Sequence, residues 1–206
     1  MLHAILDYAR REGLTAEPGL KPKTVRWLLV FSEEGRFLGV QDLRGDDPKS
    51  KGREFPACPD LTQQEMVAVG AGCRHFLVDS LDVVTLLTKD GVIDDKLKAK
   101  HEFFVNLLNQ AAERLPVLTP IAASLLDEAS LEAIRASLAE GRPKPTELAT
   151  FAIAGSGGTV ILVEKPDWHA WWSAYRCQLT ATRKAKAAGG RRKRAGSEET
   201  GPPRIR

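Results

Sequence analysis

The chain reads as a mixed α+β fold, with two β-hairpins, several helices and a basic, disordered C-terminal tail. Three observations predict it. Strand-forming runs are paired across short glycine-containing turns at two places, and apolar stripes at helical spacing lie between them. The last stretch, from Thr182 to Arg206, is dominated by Lys, Arg, Ala and Gly, with too few apolar side chains to build a core. The expected organisation is therefore an N-terminal α+β domain over residues 1–181 and a flexible basic tail or linker over residues 182–206.

Leu2, Ile5, Leu6 and Ala9 recur at helical spacing ahead of Arg10, Arg11 and Gly13, which predicts a short opening helix with a basic last turn and a stop. After the Pro18-Gly19 turn, Thr24 to Phe31 is rich in β-branched and aromatic residues, and Arg36 to Leu43 follows across Ser32-Glu33-Glu34-Gly35. This is the first hairpin. Arg44 to Asp60 holds three prolines, two glycines and no apolar period, so a long surface loop is expected there. Thr62-Gln63-Gln64-Glu65 fits a capping box, a Thr answered three residues later by Glu, and starts a helix.

Asp94-Asp95 can cap a longer helix whose stripe is Leu97, Phe104, Leu107, Leu108, Ala111 and Leu115, ending before Pro116. Shorter helices follow from Pro120 to Ala129 and from Ser130 to Glu140. Leu148 to Ala154 and Thr159 to Glu164 alternate around Gly155-Ser156-Gly157-Gly158 as the second hairpin. Pro166 at a helix N1 position opens the last helix, which carries Trp168, Trp171, Trp172, Tyr175 and Leu179 on one face. Trp168, Trp171 and Trp172 could stack on splayed bases, but that spacing is the pattern of a core stripe, with one edge ring left over for a partner.

Charge is unevenly placed. The net is +3, yet Thr182 to Arg206 alone holds nine basic residues against Glu198 and Glu199, a balance of +7, so the rest of the chain carries −4. No apolar run approaches the roughly 20 residues of a membrane span, and the start has its basic residues after the apolar ones, the reverse of a secretory signal. A soluble, cytoplasmic protein is expected. Cys58, Cys73 and Cys177 are odd in number and widely spaced, which suggests idle or buried thiols rather than disulfides or zinc. His3, His75, His101 and His169 stand apart from one another and from the cysteines, and no nucleophile elbow or metal-ligand pair appears, so neither catalysis nor a cofactor is expected. The glycine-rich 155–158 segment leads into a strand and lacks a Lys-Ser or Lys-Thr pair, so it is a turn and not a phosphate cradle.

Two basic segments could meet a polyanion. Lys49, Lys51 and Arg53 lie in the Pro/Gly loop, offset by Asp46 and Asp47, and can hold phosphates without reading sequence. Arg183, Lys184, Lys186, Arg191, Arg192, Lys193 and Arg194 do the same in the tail, where an untargeted linker is the alternative.

Three stretches together resemble a known family. Met1-Leu2-His3-Ala4-Ile5-Leu6-Asp7-Tyr8, followed by Pro18-Gly19-Leu20-Lys21-Pro22-Lys23 and the strand to Phe31, is similar to the start of the large subunit of the type I-C CRISPR Cascade complex. Gly72-Cys73-Arg74-His75-Phe76-Leu77-Val78-Asp79-Ser80 resembles that family's small-residue turn, with Val78 in place of its Cys and Ser80 in place of its Asn. The strand Val160 to Glu164 passing into the Pro166 to Tyr175 helix is similar to its strand and Trp-Trp helix. The resemblance implies an N-terminal portion of a longer, non-catalytic subunit of a crRNA-guided antiviral complex. Such a subunit binds target double-stranded DNA, helps recognise the protospacer-adjacent motif, and works with crRNA-containing Cascade subunits and a recruited nuclease-helicase; guide pairing reads the rest of the target. On that footing the expected DNA-facing residues are Lys49, Lys51 and Arg53 on phosphates, with Arg74, His75 and Ser80 in the turn near base edges. A hydroxyl at Ser80 cannot make the bidentate contact to adenine that an amide offers. The rival expectation is a scaffold that docks Cascade subunits and guide RNA without reading the motif itself.

Overall fold

Strand-forming residues from Thr24 to Phe31 do adopt extended backbone, but as two strands rather than one. The computed structural model describes residues 17–179 and 181, apart from Asp46, Pro48, Ala71, Thr180 and the side chain of Ala68. The expected opening helix and the basic tail lie outside the described residues. Within them the strands are β1 (Leu20–Val25), β2 (Trp27–Ser32), β3 (Phe37–Asp42), β4 (Arg53–Pro59), β5 (Asp79–Ser80), β6 (Leu148–Gly155) and β7 (Gly158–Ile161). β1 pairs antiparallel with β4 in a two-stranded sheet, whereas β2 joins a five-stranded sheet of order β3-β2-β6-β5 with β7 also on β6.

β2 lies at the centre of that larger sheet, antiparallel to β3 and parallel to β6. A parallel central strand is covered on both faces, which is why Trp27-Leu28-Leu29-Val30-Phe31 is a continuous apolar run instead of an alternating one. On its other side β6 meets β5 at Leu148 and Ala149 and β7 from Ala152 to Gly155. Both expected hairpins are present, β2–β3 and β6–β7. The second turns on Ser156-Gly157, with Gly158 at φ +107°, a backbone angle that favours glycine. β7 stops at Ile161, and Leu162–Glu164 forms a 3-10 turn in place of the expected strand end.

The chain changes sheet at Arg26. Its guanidinium is buried and donates to Asp42 Oδ2 (3.1 Å), Glu147 Oε1 (2.6 Å) and the Gly141 carbonyl (2.7 Å), and it sits 4.3 Å from the centroid of the Trp27 ring. Asp42 closes β3, Glu147 precedes β6 and Gly141 follows a helix, so one cation ties together the ends of three elements. A buried charge survives only when paired and hydrogen-bonded, and here every contact supplies that.

Residues 44–60 are loop only as far as Gly52, because β4 follows. Pro56 and Pro59 concealed this strand. Its register with β1 shifts between Lys21 and Lys23, so Pro22 faces Pro56 and Ala57 across a bulge, and Pro59 falls at the strand's end. Those are the places where a strand tolerates a residue without an N–H.

The helices are α1 (Gln63–Val69), α2 (Leu81–Thr85), α3 (Asp95–Ala111), α4 (Leu118–Leu126), α5 (Glu128–Ala139) and α6 (169–179). α1 has the expected capping box, Thr62 and Glu65 satisfying each other's backbone N–H, and Asp94 caps α3 through Leu97 N at 2.7 Å. The α3 stripe is buried as expected, with Phe104 against Phe151 of β6, although the helix ends at Ala111, short of Pro116. His101 lies inside, Nδ1 2.8 Å from the Val83 carbonyl and Nε2 2.9 Å from the Leu125 carbonyl, and links α2, α3 and α4. Trp168 and Trp172 are fully buried against Phe76, while Trp171, Tyr175 and Leu179 are half-buried at the margin. The aromatic face of this helix is therefore core, as its spacing predicts.

Candidate nucleic-acid interface

Lys49 and Lys51 lie on the loop of residues 44–52, exposed, and neither makes an ion pair among the described residues. Asp47 turns this loop by accepting from Lys49 N at 2.9 Å, and Ser50 Oγ accepts from Gly52 N at 3.2 Å. Gly52 has φ +132°, and a Cβ there would lie 2.2 Å from the Val25 carbonyl oxygen, so only glycine lets the loop pass so close to the end of β1. Arg53 is different. It starts β4, pairs with Glu164 and lies 4.9 Å from the Phe55 ring centroid, so its charge is already partnered. Of the expected basic trio, the structure leaves two cations free for phosphate.

The turn of residues 72–80 is built around Asp79, which is buried. Its carboxylate accepts from His75 N (3.1 Å), Ser80 N (2.8 Å) and Ser80 Oγ (3.3 Å). Leu77, at φ +58°, lets the chain reverse so that Phe76 enters the core. His75 Nδ1 accepts from Leu61 N at 3.1 Å, which requires that nitrogen to be unprotonated. Burial pushes the His75 pKa below its ordinary value and Lys23 adds to this, against the opposing pull of Asp60 and Asp79. His75 therefore staples the turn to the end of β4, and Ser80 spends its hydroxyl on Asp79. Burial likewise raises the Cys73 thiol to about 11, so it is not a nucleophile at neutral pH.

Arg74 remains. It is half-buried, Nη1 donates to the Cys73 carbonyl at 2.9 Å, Nε has no partner, and no carboxylate among the described residues pairs with it. The structure thus concentrates the turn's chemistry on one guanidinium. The loop and the turn stand at opposite ends of β4, separated by about 20 Å at about 3.4 Å per strand residue. A duplex covers that distance in about six base pairs at roughly 3.4 Å per pair. The tail residues Arg183, Lys184, Lys186, Arg191, Arg192, Lys193 and Arg194 lie outside the described residues.

One feature was not announced by sequence spacing. A hollow of about 470 Å³ opens between the end of α3 and the outer face of α6, lined by Gln110, Glu113, Arg114, Trp171, Ala174 and Tyr175 among others. Both rings belong to the stripe read from spacing, of which one edge ring was expected to be left for a partner; that α3 faces them across a hollow required the fold.

Among the described residues no cluster of His, Cys, Asp and Glu could hold a metal, and no helix is long and apolar enough to cross a membrane. What the fold and these turns define is an α+β module in which Lys49 and Lys51 on one loop and Arg74 on one turn carry no ion pair among the described residues. The family model described as CRISPR-associated protein (Cas_Csd1) matches residues 2–191, and the chain belongs to that family, the large subunit of the type I-C Cascade complex. No curated protein matches it significantly.

Proposed function

We propose that this chain is a non-catalytic subunit of a crRNA-guided surveillance complex that binds target duplex DNA and helps recognise the protospacer-adjacent motif. The observation that carries the reading is Arg74, a half-buried guanidinium that donates to the Cys73 carbonyl and has no carboxylate beside it among the described residues. A cation taken partly out of water without a counter-ion is costly, and a phosphate or the acceptor edge of a guanine would offset that cost. Lys49 and Lys51, exposed and without ion pairs, hold backbone phosphates and fix register. Guide pairing reads the remaining target sequence and a recruited nuclease-helicase makes the cut.

Titrating the subunit, assembled with its crRNA-containing partners, against duplexes bearing the correct or a scrambled adjacent motif tests this across salt concentrations. Lys49→Ala with Lys51→Ala is expected to weaken both duplexes alike and to lessen the salt slope by about 2, near 0.9 for each phosphate held. Arg74→Ala is expected to cost about 1–3 kcal/mol on the correct motif and to narrow the gap to the scrambled one. Unchanged motif discrimination in Arg74→Ala, with assembly intact, would favour a subunit that only docks its neighbours.

A further inference from the structure

The hollow between α3 and α6 has the make-up of a base pocket. Trp171 and Tyr175 are stacked on each other, centroids 5.4 Å apart and planes 14° from parallel, and both line it. Behind them Phe76 and Trp172 complete a four-ring cluster, so the aromatic wall is braced by the core. The floor is open because Ala170 and Ala174, one turn apart on α6, carry no more than a methyl group. Gln110, Glu113 and Arg114 from the end of α3 form the polar rim, all exposed.

We propose that this hollow takes one unpaired base of a single-stranded nucleic acid, stacked on the Trp171–Tyr175 wall. The volume, about 470 Å³, falls in the range of small-ligand sites and suits a nucleotide. Base–aromatic stacking tolerates any base and is worth about 1–3 kcal/mol. Gln110 can donate to and accept from a base edge, and Glu113 can accept from an amino group. Arg114, with no ion pair among the described residues, meets the phosphate, while Glu113 keeps phosphate off its own side of the rim. A polymer suits the site better than a free nucleotide, because the chain runs from Gln178 on the rim into the +7 segment that begins at Thr182. The strand supplying the base is either displaced target DNA or guide RNA, which offer the same stacking and phosphate chemistry. The inference rests on the nucleic-acid reading above for its class of ligand, but uses none of the same residues.

The test is fluorescence of 2-aminopurine placed at one position of a short DNA oligonucleotide, and of its RNA counterpart, titrated with the full chain. Stacking should quench the probe on the strand that is the natural source more strongly than on the other. Ala174→Leu fills the hollow without altering charge and is compatible with a helix surface. It should weaken single-strand binding about 5- to 150-fold, the span that removal of one stacked base implies, and leave duplex binding unchanged. Arg114→Glu should weaken it too, and an abasic nucleotide at the probe position should cost the wild type as much as Ala174→Leu does. Single-strand affinity and quenching unaltered in Ala174→Leu, with its thermal midpoint near wild type, would overturn the pocket while leaving duplex recognition standing. If the wild type bound neither strand form, the pocket would fall, and the duplex titration of the assembled complex would decide the other reading separately.

Discussion

The two fully buried tryptophans make opposite use of their indole nitrogens. Trp172 Nε1 donates to the Gly19 carbonyl at 2.7 Å, fixing the turn before β1, whereas Trp168 Nε1 is buried with no partner among the described residues. Replacing each with Phe separates these cases. Trp168→Phe removes an unsatisfied donor along with some packing, so a change below about 1 kcal/mol is expected, while Trp172→Phe removes one of two donors to the Gly19 carbonyl, which keeps Asp60 N at 2.8 Å, and should cost about 0.5–1.5 kcal/mol more. Chemical denaturation of the two variants checks the ordering. Acid sensitivity belongs to this scale too. Burial alone would raise the Asp42 carboxyl, but hydrogen bonds from Arg44 and Arg26 outweigh it and hold its pKa at about 2 instead of 3.8. Its contribution is thus complete above its unfolded value and is lost as pH falls from 3.8 toward 2. The urea midpoint should drop between about pH 5 and about pH 2.5, and Asp42→Asn, less stable at the higher pH, should show a smaller drop. Spacing made the tryptophan stripe legible in the sequence. Arg26 was not, since a basic residue inside an apolar run gives no sign that its partners lie 16 and 121 positions away.

Among the elements, the strands that local pattern hides share one cause. Pattern reports what a residue prefers, while a sheet is completed by partners far along the chain. β4 was hidden by prolines that a bulge and a strand end accommodate, and β1 merged with β2 because nothing local marks the change of sheet at Arg26. The helix starts at Thr62 and Asp94 were legible, since each caps within three residues of itself, whereas Asp127, expected inside the 120–129 helix, instead caps the helix that begins at Glu128. The candidate interface was half legible. Lys49 and Lys51 could be read from a loop, but that Glu164 occupies Arg53, or that Asp79 occupies Ser80, required the fold. Gly52 joins the loop to β4, and Gly52→Ala should destabilise by on the order of 1–3 kcal/mol, through both its positive φ and the approach to the Val25 carbonyl. Its duplex affinity should fall along with its thermal midpoint, because Lys51 is carried on the displaced segment.

At the scale of the whole molecule, charge and fold are separated. Residues 1–181 carry a net −4 and the last 25 carry +7, so attraction for any polyanion is concentrated in a segment with no means of reading bases. Removing residues 182–206 should therefore lower affinity for all duplexes and flatten the salt slope by about 0.9 for each phosphate no longer neutralised, with preference for the correct motif retained. Disappearance of that preference would instead place the readout in the tail.

The corner at Arg26 gives the molecule a stiff joint. A load placed on Lys49 and Lys51 would reach the small sheet, which is tied to the larger one by the Arg53–Glu164 pair, by the shared core and, at the chain's change of sheet, by a residue whose side chain grips Asp42, Gly141 and Glu147 at once. Bending there would tear three charge-assisted hydrogen bonds in low dielectric, so the two sheets respond as a single lever. Force applied at one end of the domain is thereby delivered to the strand that begins with Leu148, far along the chain from where it was received.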